Sequence, residues 1–169
     1  MRALLLAAAL TLSAAPALAD APQPRRSIDI SRFTGSWHEA VRTPNPRQRP
    51  CVATRMQISG SAPNLRLTQT CVRSQGEPRT INASMSVVDR ETNAKVNMRV
   101  TGGIASLISQ EYWILDRADD YSWVIMGTPG GNYVWGWTRS ANPSAGVRQA
   151  LMNRIAALGY NTSRLERVG

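Results

Sequence analysis

The sequence contains few of the residues that metal sites and hydrolytic enzymes require. Its 169 residues include two cysteines and one histidine, His38. These do not supply the four ligands of a zinc site, so no metal or cofactor is expected. No second histidine is available as a base for Ser36, Ser122 or Ser140, and no G-x-S-x-G motif is present. The sequence therefore does not predict an enzyme.

Negative charge is also scarce. The chain has 11 Asp and Glu against 20 Lys and Arg, which gives a formal net charge of +9. The arginines form no run of five or six and no basic helical stripe, so nucleic-acid binding is not expected. The excess leaves two interpretations open, which are a solvated surface and attraction to an anionic membrane surface.

Long apolar runs are confined to the start of the chain. Arg2 precedes an apolar run over 4–12, and Ala17-Leu18-Ala19 is a small-x-small cleavage site before Asp20. No later run reaches the roughly 20 residues that a membrane-spanning helix needs. We expect a signal peptide over 1–19, a flexible lead-in over 20–29 and one exported domain over 30–169.

The remaining sequence consists of short segments rich in β-branched and aromatic residues, separated by turn signals. Eight strands are predicted, over 36–43, 52–59, 65–73, 79–88, 94–101, 111–116, 122–128 and 132–139. Their close spacing favours an antiparallel meander, because parallel strands need crossover helices. Closure into a barrel removes the two open edges.

One helix follows the last long strand. Asn142 or Ser144 caps it and Gly159 ends it. One helical face is apolar and carries Val147, Leu151, Ile155 and Leu158. A last short strand is predicted within 162–168. The fold class is therefore an all-β, eight-stranded antiparallel barrel with one C-terminal helix packed outside.

Aromatic residues on the last strands bear on whether the barrel is filled or hollow. Alternation places Tyr133, Trp135 and Trp137 on one face and small residues on the other. We expect the small face to pack on the helix and the aromatic face to point inward. Similar inward faces are predicted for Tyr112 with Ile114, and for Tyr121 with Trp123 and Ile125. An eight-stranded barrel is either filled or holds one small ligand, and periodicity leaves both open.

Cys51 and Cys71 flank a predicted hairpin of the second and third strands. Both cysteines fall near its open end, and export makes a disulfide possible. If the apolar residues of the two strands share one face of the hairpin, Cys71 lies opposite Val52 rather than Cys51, unless a bulge intervenes. We predict a Cys51–Cys71 disulfide between neighbouring strands.

Three motifs, in order, resemble those of the lipocalin family. Gly35-Ser36-Trp37 resembles the G-x-W motif, Asp119-Asp120-Tyr121 the Thr-Asp-Tyr motif, and Arg139 the third motif. The resemblance spans about residues 30–168 and is closest to the bacterial outer-membrane lipocalins and apolipoprotein D. Further matching stretches lie at 35–39, 43–45, 92–95, 112–116, 120–123 and 163–165.

The resemblance implies an up-and-down barrel that binds, stores or transports one amphipathic lipid, such as a fatty acid or lysophospholipid, for bacterial envelope maintenance under stress. It implies that the Arg139 guanidinium stacks on the Trp37 indole at the closed end and bonds nearby carbonyls. The residues implied to be structural are Gly35, Trp37, Asp120, Tyr121 and Arg139.

Three positions depart from the family pattern. Many bacterial members carry a lipid-modified cysteine at the cleavage site, where this chain has Ala19-Asp20, so we expect a periplasmic protein without a lipid anchor, peripheral to the outer membrane. His38 replaces a common tyrosine and is expected to face outward. The loop at 101–106 replaces an aromatic-rich segment at the barrel mouth.

An inward Trp37 places Glu39 and Val41 inward as well. A carboxylate in an apolar cup is costly unless paired, so Glu39 either meets a polar or cationic ligand group or pairs with an interior arginine. The residues predicted to line the ligand site are Glu39, Met98, Tyr112, Ile114, Trp123, Tyr133, Trp135 and Trp137. The alternative to lipid binding is an exported protein-interaction module with a filled core, and both a monomer and a dimer remain open.

Overall fold

A computed structural model describes residues 20–169, so the predicted signal peptide lies outside the described residues. The helices are α1 (Ile30–Phe33) and α2 (Ala145–Ala157), and short 3₁₀ turns span Ile104–Leu107 and Thr162–Arg164. The strands are β1 (Gly35–Arg42), β2 (Cys51–Ser61), β3 (Asn64–Arg73), β4 (Arg79–Val87), β5 (Lys95–Val100), β6 (Ser109–Arg117), β7 (Trp123–Gly127), β8 (Val134–Thr138) and β9 (Glu166–Arg167). All eight predicted long strands are present, and their ends differ from the prediction by at most two residues.

Strands β1 to β8 close into an antiparallel up-and-down barrel. Each strand pairs with its neighbour in sequence, and β1 pairs with both β2 and β8. The predicted last strand is β9, which pairs with the end of β1 at Val41 and Arg42. Closure gives the backbone groups of both first and last barrel strands a partner, so the predicted fold class is confirmed.

Helix α2 packs against the outside of the barrel. The Ser144 side chain caps it by accepting the Val147 N–H, as predicted. Leu151 and Ile155 are fully buried against the wall. A glycine on β8 permits this approach, because a Cβ at Gly136 would lie 2.8 Å from Val41 and 3.3 Å from Leu151. The predicted small outer face of β8 is therefore correct.

Two apolar clusters divide the core. One lies inside the barrel and fills its closed half around Phe33, Trp37 and Ile114. The other lies outside the wall, beneath α2, around Ile125 and Leu151. Several members of the inner cluster also form the wall of a cavity toward the mouth, so the upper interior is hollow.

The lead-in lies along the barrel surface. The Ala21 N–H donates to the Pro129 carbonyl at 2.8 Å, and the Ile28 N–H donates to the Thr92 carbonyl at 2.7 Å. Arg26 forms ion pairs with two aspartates of the barrel. These contacts reach both ends of the barrel, and the flexibility of 20–29 stays a prediction.

Neither helix within residues 20–169 is long and apolar enough to cross a membrane.

Candidate functional site: a cup with a cationic rim

The closed end is sealed by the first and third sequence motifs. Trp37 is fully buried, and its indole N–H donates to the Phe33 carbonyl at 2.8 Å. The Arg139 guanidinium lies 3.7 Å from the centroid of the Trp37 ring. The same guanidinium donates to the carbonyls of Ser36, at 2.8 Å, and Arg32. The predicted stacking of Arg139 on Trp37 is confirmed.

The remaining motif residues shape the turns at this end. Gly35 has a φ of +97°, which favours glycine, and a Cβ there would also lie 3.2 Å from the Arg139 guanidinium. The Asp120 carboxylate accepts the Ser122 N–H at 2.9 Å, which caps the β6–β7 turn. The Tyr121 hydroxyl accepts a backbone N–H of the segment before α1, at 2.7 Å.

A cavity of about 610 Å³ lies between this seal and the barrel mouth. Its volume is in the range of pockets that hold one small-molecule ligand. The wall combines aromatic, methionine and aliphatic side chains with a few polar ones. The main apolar residues are Leu67, Ile81, Met85, Met98, Val100, Ile108, Tyr112, Met126, Trp135 and Trp137.

Most of the predicted ligand-lining residues border this cavity. Five of the eight do so, namely Glu39, Met98, Tyr112, Trp135 and Trp137. Ile114 points inward, as predicted, but is buried in the closed half below the cavity. Tyr133 stacks on Trp135 with ring centroids 5.9 Å apart and is not part of the cavity wall.

The prediction that Trp123 and Ile125 face inward is wrong. Trp123 pairs with Thr138, on the outer face of β8. Trp123 and Ile125 both pack in the cluster beneath α2. The inward side of β7 carries Met126 instead. Tyr121 has a φ of +59° and belongs to the turn before β7. The inward or outward direction of the side chains on β7 therefore cannot be counted from Tyr121.

The prediction that Val41 faces inward is also wrong. A register shift in β1 at Ala40 pairs Glu39 with Trp137 but Val41 with Gly136. This bulge adds one residue and reverses the alternation beyond it. Val41 consequently packs beneath α2, while Glu39 borders the cavity.

Beyond the bulge, Arg42 turns inward and pairs with Glu39. The Glu39 carboxylate accepts an Arg42 N–H at 3.0 Å and the Gln48 side-chain N–H at 2.9 Å. Arg42 also donates to the Cys51 carbonyl at 3.0 Å and forms an ion pair with Glu166. Of the two alternatives for Glu39, pairing with an interior arginine is confirmed. Burial raises the pKa of Glu39 to about 6, although Arg42 and Gln48 oppose this shift.

Gln48 connects the Glu39–Arg42 ion pair to the mouth of the barrel by hydrogen bonds. Its side-chain oxygen accepts the Trp135 indole N–H at 3.0 Å, so the loop at 43–50 is bound to an aromatic wall residue. Sequence analysis missed the Glu39–Arg42–Gln48 network, because Gln48 lies in a proline- and arginine-rich loop without periodicity. The alternation of β1 gave the wrong face for Arg42, so no local signal identified it.

The rim of the cup is cationic. Arg47, Arg73 and Arg79 are exposed and border the cavity. Among the ion pairs of residues 20–169, none includes any of these three guanidinium groups. Burial raises the pKa of the Tyr112 hydroxyl, and the nearby positive charge of Arg47 opposes this.

A disulfide between Cys51 and Cys71 forms part of the wall, as predicted. The hairpin register places Cys71 opposite Thr54, with a shift between Cys51 and Ala53. The register that would place Cys71 opposite Val52 is therefore wrong, but a bulge is present next to Cys51, and the Cα atoms of the two cysteines are 5.1 Å apart.

The residues considered for catalysis do not converge. His38 pairs with Thr138 on the outer face of the barrel, as expected, and burial together with the charge of Arg55 lowers its pKa. The Ser36 hydroxyl donates to the Gln57 side chain at 2.6 Å rather than to a histidine.

Comparison with known proteins agrees with this architecture. Residues 28–169 match the family model of a lipocalin-like domain. A putative lipocalin of Acanthamoeba polyphaga mimivirus is 25% identical, over 80% of this chain and 78% of that protein. Temperature-induced lipocalin-1 of Arabidopsis thaliana is 23% identical, over 84% of this chain and 79% of its own length.

Among solved structures, insecticyanin from the tobacco hornworm Manduca sexta superposes with a TM-score of 0.70. It is 16% identical and covers 89% of this chain and 86% of its own. The sealed end, the closed barrel with its outer helix and the match over residues 28–169 together show that the chain belongs to the lipocalin family.

Proposed function

We propose that this protein binds and carries one anionic amphipathic lipid, a fatty acid or a lysophospholipid, in its cup. Lipocalins bind small hydrophobic ligands and generally act in binding and transport. The observation that carries the proposal is the cavity itself, about 610 Å³ in volume, with an apolar interior and three arginines at its rim. A hollow barrel argues against the alternative of a filled interaction module.

The interior suits an acyl chain. Each buried methylene contributes about 0.8 kcal/mol, so ten of them contribute roughly 8 kcal/mol before ordering costs. Met85, Met98 and Met126 line the cavity. Because methionine side chains are flexible and polarizable, they adapt to chains of different length.

The rim suits a carboxylate or phosphate. Arg47, Arg73 and Arg79 present guanidinium groups that form charge-assisted hydrogen bonds with such anions. Glu39 is already paired with Arg42, so it does not require a cationic ligand group. The lipid therefore lies with its tail toward the seal and its head at the mouth.

We place this activity in the bacterial periplasm, after export by the predicted signal peptide. The motif resemblance to outer-membrane lipocalins and apolipoprotein D supports a role in envelope maintenance, with storage or transport under stress. The protein would lie at the membrane surface without a lipid anchor. It would hold its ligand passively, without chemical turnover.

The direct test is native mass spectrometry of mature protein purified from its own periplasm, followed by organic extraction. A discrete adduct that extracts as a fatty acid or lysophospholipid is expected. Titration with monomeric lysophospholipid should change the tryptophan fluorescence, since Trp135 and Trp137 line the cup. A bare protein whose fluorescence does not respond would contradict the proposal.

A further inference from the structure

Three large aliphatic side chains are exposed on one loop at the mouth. Ile104 is 86% exposed, Leu107 is 79% exposed and Ile108 is 64% exposed. They lie within five consecutive residues that connect β5 to β6. Aliphatic side chains grouped in this way commonly mark a surface that contacts a partner or a membrane.

The loop begins with two glycines that border open space. Gly102 and Gly103 precede the aliphatic residues, with φ values of +85° and +65°. A Cβ added at either glycine would meet no atom within 4 Å. The space around a side chain at either position is therefore open.

Positive charge surrounds the same end. In an up-and-down barrel, the loops at 43–50, 74–78, 101–108 and 128–133 all lie at the mouth. Their only acidic residue is Glu77. Arg47 and Arg49 lie in the first of these loops, while Arg73 and Arg79 flank the second, and all four are exposed.

The closed end has a mixed charge. Its turns at 88–94 and 118–122 contain four acidic residues, Asp89, Glu91, Asp119 and Asp120, but they lie beside basic residues, and Arg26 forms an ion pair with Asp119. A negatively charged surface would consequently attract the mouth more strongly, because its loops contain one acidic residue.

We propose that the protein docks mouth-first on an anionic lipid bilayer, with Ile104 and Leu107 inserted among the headgroups and the rim arginines on the phosphates. Exposed aliphatic side chains next to basic ones are the combination by which proteins bind the surface of such membranes. A second copy of this chain fits less well, because contact between two mouths would bring eight guanidinium groups together.

Docking in this orientation places the cavity entrance against the bilayer. A lipid could then move between bilayer and cup without its tail crossing water. In this respect the inference rests on the proposed function, but docking itself is measured without any ligand in the cup.

The test compares Ile104→Ser/Leu107→Ser with the parent in co-sedimentation with vesicles. Neither residue lines the cavity, so the double variant keeps the cup intact. The matched control is Val88→Ser, which removes a 50% exposed aliphatic side chain at the closed end. The vesicles are phosphatidylcholine alone or phosphatidylcholine with about one third phosphatidylglycerol.

The parent and Val88→Ser should bind the anionic vesicles, and the double variant should bind them about tenfold more weakly. Binding should fall on raising the salt concentration from about 0.1 M to about 0.5 M, since exposed charges are screened. Arg49→Gln should weaken binding to anionic vesicles more than Arg66→Gln, the same change on β3 near the closed end.

Equal sedimentation of the double variant and the parent would overturn the proposal, as would a parent that does not bind anionic vesicles. A parent that dimerises through this loop and ignores vesicles would assign the patch to self-association. Titration with monomeric lysophospholipid separates the two ideas. Vesicle binding without lysophospholipid binding contradicts the proposed function alone, and the reverse result contradicts docking alone.

Discussion

The closed and open ends of the barrel are built on the same strands but differ in the hydrogen bonding and burial of their polar groups. At the closed end, the Trp37 indole N–H donates to a backbone carbonyl. Arg139 stacks on Trp37 and donates to two further backbone carbonyls. At the open end, Glu39 is buried with a raised pKa. The buried Trp137 N–H there has no hydrogen-bond partner in the described part of the chain.

This difference indicates where the molecule obtains stability and where it keeps capacity for a ligand. Satisfied groups around a filled core stabilise the closed end. Guanidinium groups around a void that form no ion pair within residues 20–169, such as those of Arg47 and Arg73, stabilise little but remain available to an anion. Substitutions at each end, compared for their effects on stability and on ligand binding, test this distinction.

The largest expected effect is on stability at the closed end. Trp37→Ala should lower the free energy of unfolding by about 3–5 kcal/mol, because it removes a fully buried ring and leaves a cavity. Trp135→Ala, at the partly exposed wall of the cup, should cost less than half as much. Denaturant unfolding of both variants measures this, and equal losses would refute the assignment of stability to the closed end.

The next effect concerns the pH dependence of the buried pair. Because the Glu39 pKa is raised from 4.5 to about 6 in the folded state, the folded chain binds this proton more tightly than the unfolded chain. Its contribution therefore favours folding at low pH and is lost as the pH rises from about 4.5 to 6. The loss is about 2 kcal/mol.

Glu39→Gln should remove this contribution. The unfolding free energy of the parent minus that of the variant should be more favourable at pH near 4.5 than at pH near 7. Taking the difference cancels the opposite contributions of Asp29, Asp89 and Asp120, whose pKa values are lowered by their hydrogen bonds. A difference that does not vary with pH would show that Glu39 titrates alike in both states.

A smaller effect is expected on lipid binding at the open end. Trp135→Ala should weaken lysophospholipid binding about tenfold, equivalent to ~1.4 kcal/mol, through loss of apolar contact in the cup. Trp123→Ala is the control, since Trp123 packs outside the barrel beneath α2. Isothermal titration would contradict the inward position of Trp135 if its variant bound as tightly as the parent.

The smallest expected difference comes from one conservative change made at each end. Arg139→Lys should cost about 1 kcal/mol of stability, because lysine cannot both stack on Trp37 and donate to two carbonyls. Arg47→Lys keeps the charge at an exposed position and should leave stability unchanged. Thermal unfolding distinguishes the two, and equal shifts in Tm would count against the special role of Arg139.

Much of this molecule could be predicted from local sequence patterns. The eight strands follow from periodicity, the Ser144 cap from the preference for serine at helix starts, and the Cys51–Cys71 bond from the position of both cysteines near the open end of one hairpin. The contact of Arg139 with Trp37 followed from the motif resemblance. The errors occurred where one residue reversed the inward and outward alternation of side chains, at the Ala40 bulge and at Tyr121 with its positive φ.

The sequence by itself determined the number of strands, the closed fold and the seal at one end, because each depends on local alternation or on a short motif. Only the tertiary structure decided that the barrel is hollow, that Arg42 turns inward to meet Glu39, and that exposed aliphatic side chains stand beside unpaired arginines at the mouth. These features depend on how strands distant in sequence are registered and on the volume that their side chains leave between them. Neither quantity is encoded in any single stretch of the chain.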